Sequence, residues 1–316
     1  LQGVSRFAGA TFKAEYPVAD LELLDPDVPV TAHLTAWNPF IPLNVKDSAI
    51  PVAIMEWTLT NQTDKPVEVS LAASMMNQNK KLDDEGRQVC HGNTNEFRKV
   101  GDLQGIFMSH PDADPTSLVA GNMVLATTWN EVDVITRWYK GGWWDRCHIF
   151  WDDFSEDGRL NQVTDTQPGD QDVASLAMRA TIPAKGSVTI PVYISWFYPV
   201  AENFWRWQDD LPKTLETYVG ACFSDSWDVM DYVVKNKLRL TEETGRWRES
   251  IYRNSLPDHL IEAITTQASI IRSCTCFMLK DGSFYAWEGC GDQKGCCHGS
   301  CTHVWNYEQA MAFLFP

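Results

Sequence analysis

The spacing of apolar residues changes just past Pro199, and no other feature restricts the fold of this chain so strongly. Before that point, short runs rich in β-branched and aromatic residues alternate with turn signals. IPVAIMEWTLT (50–60) is followed by NQTDKP and then VEVSLAASM, GNMVLATTW is followed by VDVITRWY, and ASLAMRATIPAKGSVTIPVYISWFYP holds two runs around Pro183-Ala184-Lys185-Gly186. Runs of this length and composition, bounded by Pro, Gly and Asn, are the signature of strands. The reading is an antiparallel β-sandwich over residues 1–200, with no helix among its strands. Within it, 50–60 and VEVSLAASM are expected to pair as a hairpin, and GNMVLATTW and VDVITRWY as a second pair. No internal repeat or low-complexity tract interrupts the pattern.

After the change, the period is helical. Trp227, Met230, Val234 and Leu238 recur at three- and four-residue spacing behind Asp225, a candidate N-cap. Ser255-Leu256-Pro257-Asp258 reads as a capping box opening a second helix, with Leu260, Ile264, Ala268 and Ile271 on one face. Residues 276–279 and 284–287 then flank Lys280-Asp281-Gly282-Ser283, and the Asp-Gly pair predicts a hairpin. A third helix is expected from about Ser300, burying Tyr307, Ala310, Met311 and Leu314. The division is therefore a sandwich at 1–200, a linker at 201–226 and an all-α domain beginning at 227–316. Helices with apolar faces need partners to bury them, so further helices are expected beyond Pro316.

Composition narrows the function. A length of 316 residues fits about two domains, and 44% hydrophobic residues suffice for a core. Asp and Glu number 42 against 26 Lys and Arg, a net charge of −16, which repels nucleic acid and anionic lipid. A neutral ligand such as a sugar suits that balance, although an acidic surface also serves solubility. The 14 Trp, 14 Phe and 9 Tyr fill a sandwich core and supply aromatic platforms. No apolar run reaches the roughly 18 residues of a membrane span, so no transmembrane segment is expected. No signal peptide is visible in a chain that opens at Leu1. The nine cysteines are odd in number and six crowd into 274–301, which favours a reducing, cytoplasmic setting over a disulfide scaffold.

The cysteine-rich stretch EGCGDQKGCCHGSCTHVW (288–305) raises the sharpest chemical question. Cys290, Cys296, Cys297, His298, Cys301 and His303 are zinc-ligand types, yet the first gap is five residues and two cysteines are adjacent, unlike paired knuckles. The expectation is no metal and no cofactor, with the thiols packing a tight loop. Glu288 stands at the end of a strand, behind Phe284-Tyr285-Ala286-Trp287 and ahead of Gly289. Taken locally, it is either an ion-paired surface glutamate or a carboxylate fixed in a pocket whose aromatics stack on a sugar ring.

The run WEGCGDQKGCCHGSCTHVWNYEQA resembles the start of the catalytic domain of glycoside hydrolase family 116, a family of β-glucosidases and glucosylceramidases. WDVMDYVV, SLPDHLIEAI and RSCTCFMLKDGSFYAWEG resemble the same family's linker and first catalytic helices. VPVTAHLTAWNPFIPLNVKDSAIPVAIMEWTLTNQTDKPVEVSL resembles its N-terminal domain. The resemblance implies a β-sandwich packed on an (α/α)6 barrel and a retaining mechanism with Glu288 as nucleophile. It puts the general acid/base on an aspartate more than a hundred residues further on, so this segment alone is expected to be inactive; Asp292 is the local candidate for a second carboxylate. Thr302 stands where the glucosylceramidase branch has an aspartate, and His303, Trp305 and Trp287 are the other expected sugar contacts. The implied substrate is a small-molecule or lipid-linked β-glucoside. The competing readings are a carbohydrate-binding or assembly module, or a β-xylosidase, β-N-acetylhexosaminidase or phosphorylase on the same scaffold.

Overall fold

Alternating apolar runs fold here into two sheets that share a core. The computed structural model describes residues 4–140, 145–161, 169–170, 172–203, 212–273, 276–286 and 311–316. Strands β1 (Gly9–Glu15), β2 (Val18–Leu24) and β3 (Val30–Trp37) lead through a short helix α1 (Val45–Ser48) to β4 (Val52–Asn61) and β5 (Val67–Met76). The two-residue strands β6 (Lys81–Leu82) and β7 (Gln88–Val89) precede β8 (Thr94–Val100), β9 (Leu103–Ser109), β10 (Asn122–Thr127) and β11 (Val132–Ile135). Helix α2 (Asp145–Asp157), β12 (Val173–Ile182) and β13 (Ser187–Phe197) complete the sandwich. There follow β14 (Val200–Glu202), β15 (Thr214–Glu216), α3 (Tyr218–Cys222), α4 (Ser226–Tyr252), α5 (Asp258–Ile270), β16 (Cys276–Met278) and β17 (Phe284–Ala286).

The large sheet runs β1-β2-β3-β4-β13-β10-β9-β8 and the small one β11-β12-β5, with antiparallel neighbours. The sandwich is as expected, but two pairings within it are not. β4 pairs with β3 and β13, whereas β5 pairs with β12 in the opposite sheet. β10 likewise pairs with β9 and β13, and β11 with β12. Both expected hairpins are arches between sheets. The NQTDKP connection is too long for the two-residue turn that locks a hairpin, so burial of facing side chains decides the partner. Asn61 ties this arch to the neighbouring one: its Nδ2 reaches the carbonyls of Lys65 (2.7 Å), Ile182 (3.1 Å) and Pro183 (3.0 Å), and its Oδ1 accepts from the Thr63 N–H at 2.8 Å.

The sandwich also contains helices, contrary to the sequence reading. α1 caps the β3–β4 connection, and α2 lays Phe150 and Phe154, four residues apart, on the outer face of the small sheet. The Phe150 ring stacks on Trp138 with centroids 4.3 Å apart. Its apolar stripe is narrow and its exposed face acidic, so period-two reading passes over it.

The result is four layers: α2, the small sheet, the large sheet and α4. The centre of the large sheet is buried on both faces. Ile106, Met108 and Leu125 meet the small sheet, while Phe107, Val124 and Ala126 meet Val229, Met230 and Val233 of α4. Each such side chain contributes about 1.5–3 kcal/mol by leaving water. Gly105 sits in this doubly covered region because a Cβ there would lie 2.4 Å from the Leu125 carbonyl oxygen and 2.6 Å from the Ala126 Cβ.

Asp225 caps α4 as expected, accepting from the Asp228 N–H at 2.7 Å. The buried face is turned from the expected one: Met230 is buried and Trp227 and Val234 half-buried, but Leu238 is 75% exposed and Leu240 takes its place. Ion pairs along the helix fix that rotation, joining Lys237 to Glu56 (2.8 Å), Arg239 to Asp47 (2.7 Å) and Arg248 to Glu15 (2.6 Å) and Asp20 (3.1 Å). In α5, Ala268 is buried and Ile271 half-buried as expected, but Leu260 and Ile264 are exposed and Ile261 and Thr265 are buried in their place. Its N-cap is Pro257, which has no side-chain acceptor, and the Ser255 capping box does not form. No helix of the described residues is long and apolar enough to cross a membrane.

Candidate active site

The hairpin that leads to Glu288 forms as its sequence predicts. Cys276 pairs with Ala286, Phe277 with Tyr285 and Met278 with Phe284. The connection closes through the Leu279 N–H donating to Ser283 O at 2.8 Å, and Gly282 adopts φ +87°, a conformation costly for other residues. Asp281 Oδ1 accepts from the Ser283 N–H at 2.9 Å, and these bonds hold its carboxyl below the usual carboxylate range. Cys276 and Ala286 are buried, so the far end of the hairpin is seated in protein. Ala286, the last described residue of β17, stands two positions before Glu288.

Two anchors tie this element to the rest of the protein, one at the end of β15 and one at the β3–β4 connection of the sandwich. At the turn, Leu279 bridges to Thr217, the Lys280 N–H donates to Glu216 O at 3.0 Å, and Lys280 Nζ pairs with Glu216 at 2.7 Å. Ahead of β16, the Arg272 guanidinium is buried and donates to the carbonyls of Pro39 (3.2 Å), Ser48 and Ile50 (2.8 Å). Burial pulls this guanidinium below the usual arginine range. Beside it, burial pushes the Tyr16 hydroxyl up to about 12, with the positive charge of Arg272 acting in the opposite sense. The Tyr16 ring meets Phe40 edge-on at 5.0 Å, and Phe40 also meets Trp247 (5.5 Å) and Phe315 (5.7 Å).

Sequence reasoning missed Arg272, although a charge following Ile270 and Ile271 in an apolar stretch is a recognisable sign of a buried, bonded cation. The residues it did single out, Trp287, Glu288, Asp292, Thr302, His303 and Trp305, lie outside the described residues. So do Cys274, Cys290, Cys296, Cys297, His298, Cys301 and residues 300–310, where a third helix was expected. Cys90, Cys147, Cys222 and Cys276 are thiols, and no cluster of metal-ligand side chains occurs among the described residues.

A cleft of about 660 Å³ opens beside the β14–β15 ribbon, lined by Leu82, Gln88, Asp114, Ser117, Glu202 and Thr214 among others. The Thr116 N–H and hydroxyl hold the Asp114 carboxyl below the usual range.

Comparison with known proteins separates family from activity. Among solved structures, "Putative kojibiose phosphorylase from human microbiome" is 11% identical, with a TM-score of 0.33 over 74% of this chain and 23% of that one. The chain thus spans less than a quarter of that protein, and a likeness so loose carries no argument. The family model described as beta-glucosidase 2, glycosyl-hydrolase family 116 N-term, matches residues 4–240, from the start of the sandwich into α4. With most of its 316 residues matched, the chain belongs to glycosyl-hydrolase family 116 and carries that family's N-terminal region.

Proposed function

We propose that this chain is part of a retaining exo-β-glycosidase that releases terminal β-linked glucose, with Glu288 as its nucleophile. The observation that carries the reading is the β16–β17 hairpin. It forms at the predicted residues, is bridged to Thr217 and preceded by Arg272 bonded to the β3–β4 connection, and ends two residues before a glutamate that falls in a family-like motif. Strand ends anchored in this way hold a carboxylate to the tolerance that nucleophilic attack needs. Membership of family 116 supports the reaction class.

In this reading, the Glu288 carboxylate attacks the anomeric carbon as the glycosidic C–O bond breaks. A second carboxyl, supplied elsewhere in an (α/α)6 domain, protonates the leaving oxygen and then deprotonates the water that releases glucose. Retention requires the two carboxyls about 5–5.5 Å apart. Trp287, Thr302, His303 and Trp305 line the sugar subsite, and Thr302 in place of an aspartate tunes preference among β-glucosides, including lipid-linked ones. No cofactor takes part.

The test uses the full-length protein and an aryl β-glucoside. Glu288→Ala should lower kcat by roughly 10⁴-fold or more with the fold intact, and azide attacking from the vacated space should restore part of the rate as the α-glycosyl azide. Near-normal turnover by the alanine variant would refute the assignment.

A further inference from the structure

The hairpin's two anchors are unequal. Lys280 and Glu216 are 61% and 44% exposed, so water competes for that pair and its hold is weak. Arg272 is different. Its side chain is half-buried, and its guanidinium hydrogen bonds among the described residues go to the backbone carbonyls of Pro39, Ser48 and Ile50, all in the connection between β3 and β4. Ser48 ends α1, where a helix leaves carbonyls without intrahelical donors. The planar fork of an arginine spans several such acceptors at once, which the single ammonium of a lysine does not. Phe40 and Ile50, each 0% exposed, lie in the same connection and keep the bonds dry.

In the chain, Arg272 stands between the end of α5 at Ile270 and the start of β16 at Cys276. A displacement there moves the root of the strand pair from which residue 288 emerges. We infer that Arg272 is a positioning residue, through which the β3–β4 connection of the sandwich sets the height and angle of the hairpin that presents Glu288. The inference rests on the nucleophile reading above. It adds that the N-terminal sandwich is part of the catalytic apparatus, acting on the geometry of the attacking carboxylate without touching substrate.

The test compares Arg272→Met and Arg272→Lys with the wild type in the full-length protein. Readouts are kcat and KM on an aryl β-glucoside, the inhibition constant of glucose, and the thermal midpoint. A misplacement of about 1 Å costs on the order of 10²-fold in rate. Arg272→Met should therefore lose roughly that much kcat while the glucose inhibition constant stays within about twofold, and Arg272→Lys should recover part of the loss. A merely structural role would lower the thermal midpoint while each folded molecule kept its kcat. Folded Arg272→Met, or folded Arg272→Lys if the methionine variant does not fold, turning over at the wild-type rate would overturn the proposal, as would failure of both variants to fold. Activity surviving in Glu288→Ala would instead sink the nucleophile reading, so the two failures are distinguishable.

Discussion

Asp47 is 2% exposed, and its neighbours explain how a charge persists there. Burial alone would favour the neutral acid, but Arg239 at 2.7 Å, the Tyr232 hydroxyl at 2.8 Å and Asn44 more than offset it, holding the carboxyl below its usual range. A depressed carboxylate contributes stability that is complete above its unfolded pKa of about 3.9 and is lost as pH falls through the lower folded value. Asp47→Asn should therefore destabilise the protein by about 1–3 kcal/mol near pH 7, because it leaves Arg239 and Tyr232 short of their acceptor. Melts from pH 7 down to pH 3 check this: the gap between wild type and variant should close only below about pH 4. A gap independent of pH would assign the loss to packing.

At the scale of elements, the arches and the hairpin show what local sequence decides. Lys280-Asp281-Gly282-Ser283 is legible because Gly282 supplies the positive φ that this turn needs, whatever surrounds it. The connections after β4 and β10 carry equally good turn residues, but those residues do not state which sheet the next strand joins. That choice belongs to Leu59, Val69, Leu71 and Met178 packing between the sheets, a contact set far apart in sequence. The helix faces of α4 and α5 were off for a related reason: spacing gives the period, and the ion pairs and the sheet beneath give the phase. Asn61 enforces the arches, so Asn61→Ala should cost about 1–3 kcal/mol in denaturant unfolding through the backbone groups it strands. Activity per folded molecule should be unchanged, and a loss within about 0.5 kcal/mol would show that the arches hold without it.

For the whole molecule, the order of layers sets where the hairpin sits. A large sheet covered on both faces at its centre forms a stiff platform, α4 is strapped along it by three cationic side chains, and Arg272 ahead of the hairpin is bonded to the β3–β4 connection. The hairpin leading to Glu288 was legible because its Asp-Gly turn and flanking strand runs coincide in a few residues. The partners of Arg272 were not, since Pro39, Ser48 and Ile50 are more than two hundred positions away and only folding brings them together. The central claim, that this platform presents Glu288 for covalent attack, is tested most directly by trapping the intermediate. The full-length protein treated with a 2-deoxy-2-fluoro-β-glucoside bearing a good leaving group should gain one fluoroglucosyl unit, and peptide mass mapping should place it on Glu288. A label on any other residue, or inactivation with no covalent adduct, would contradict the account.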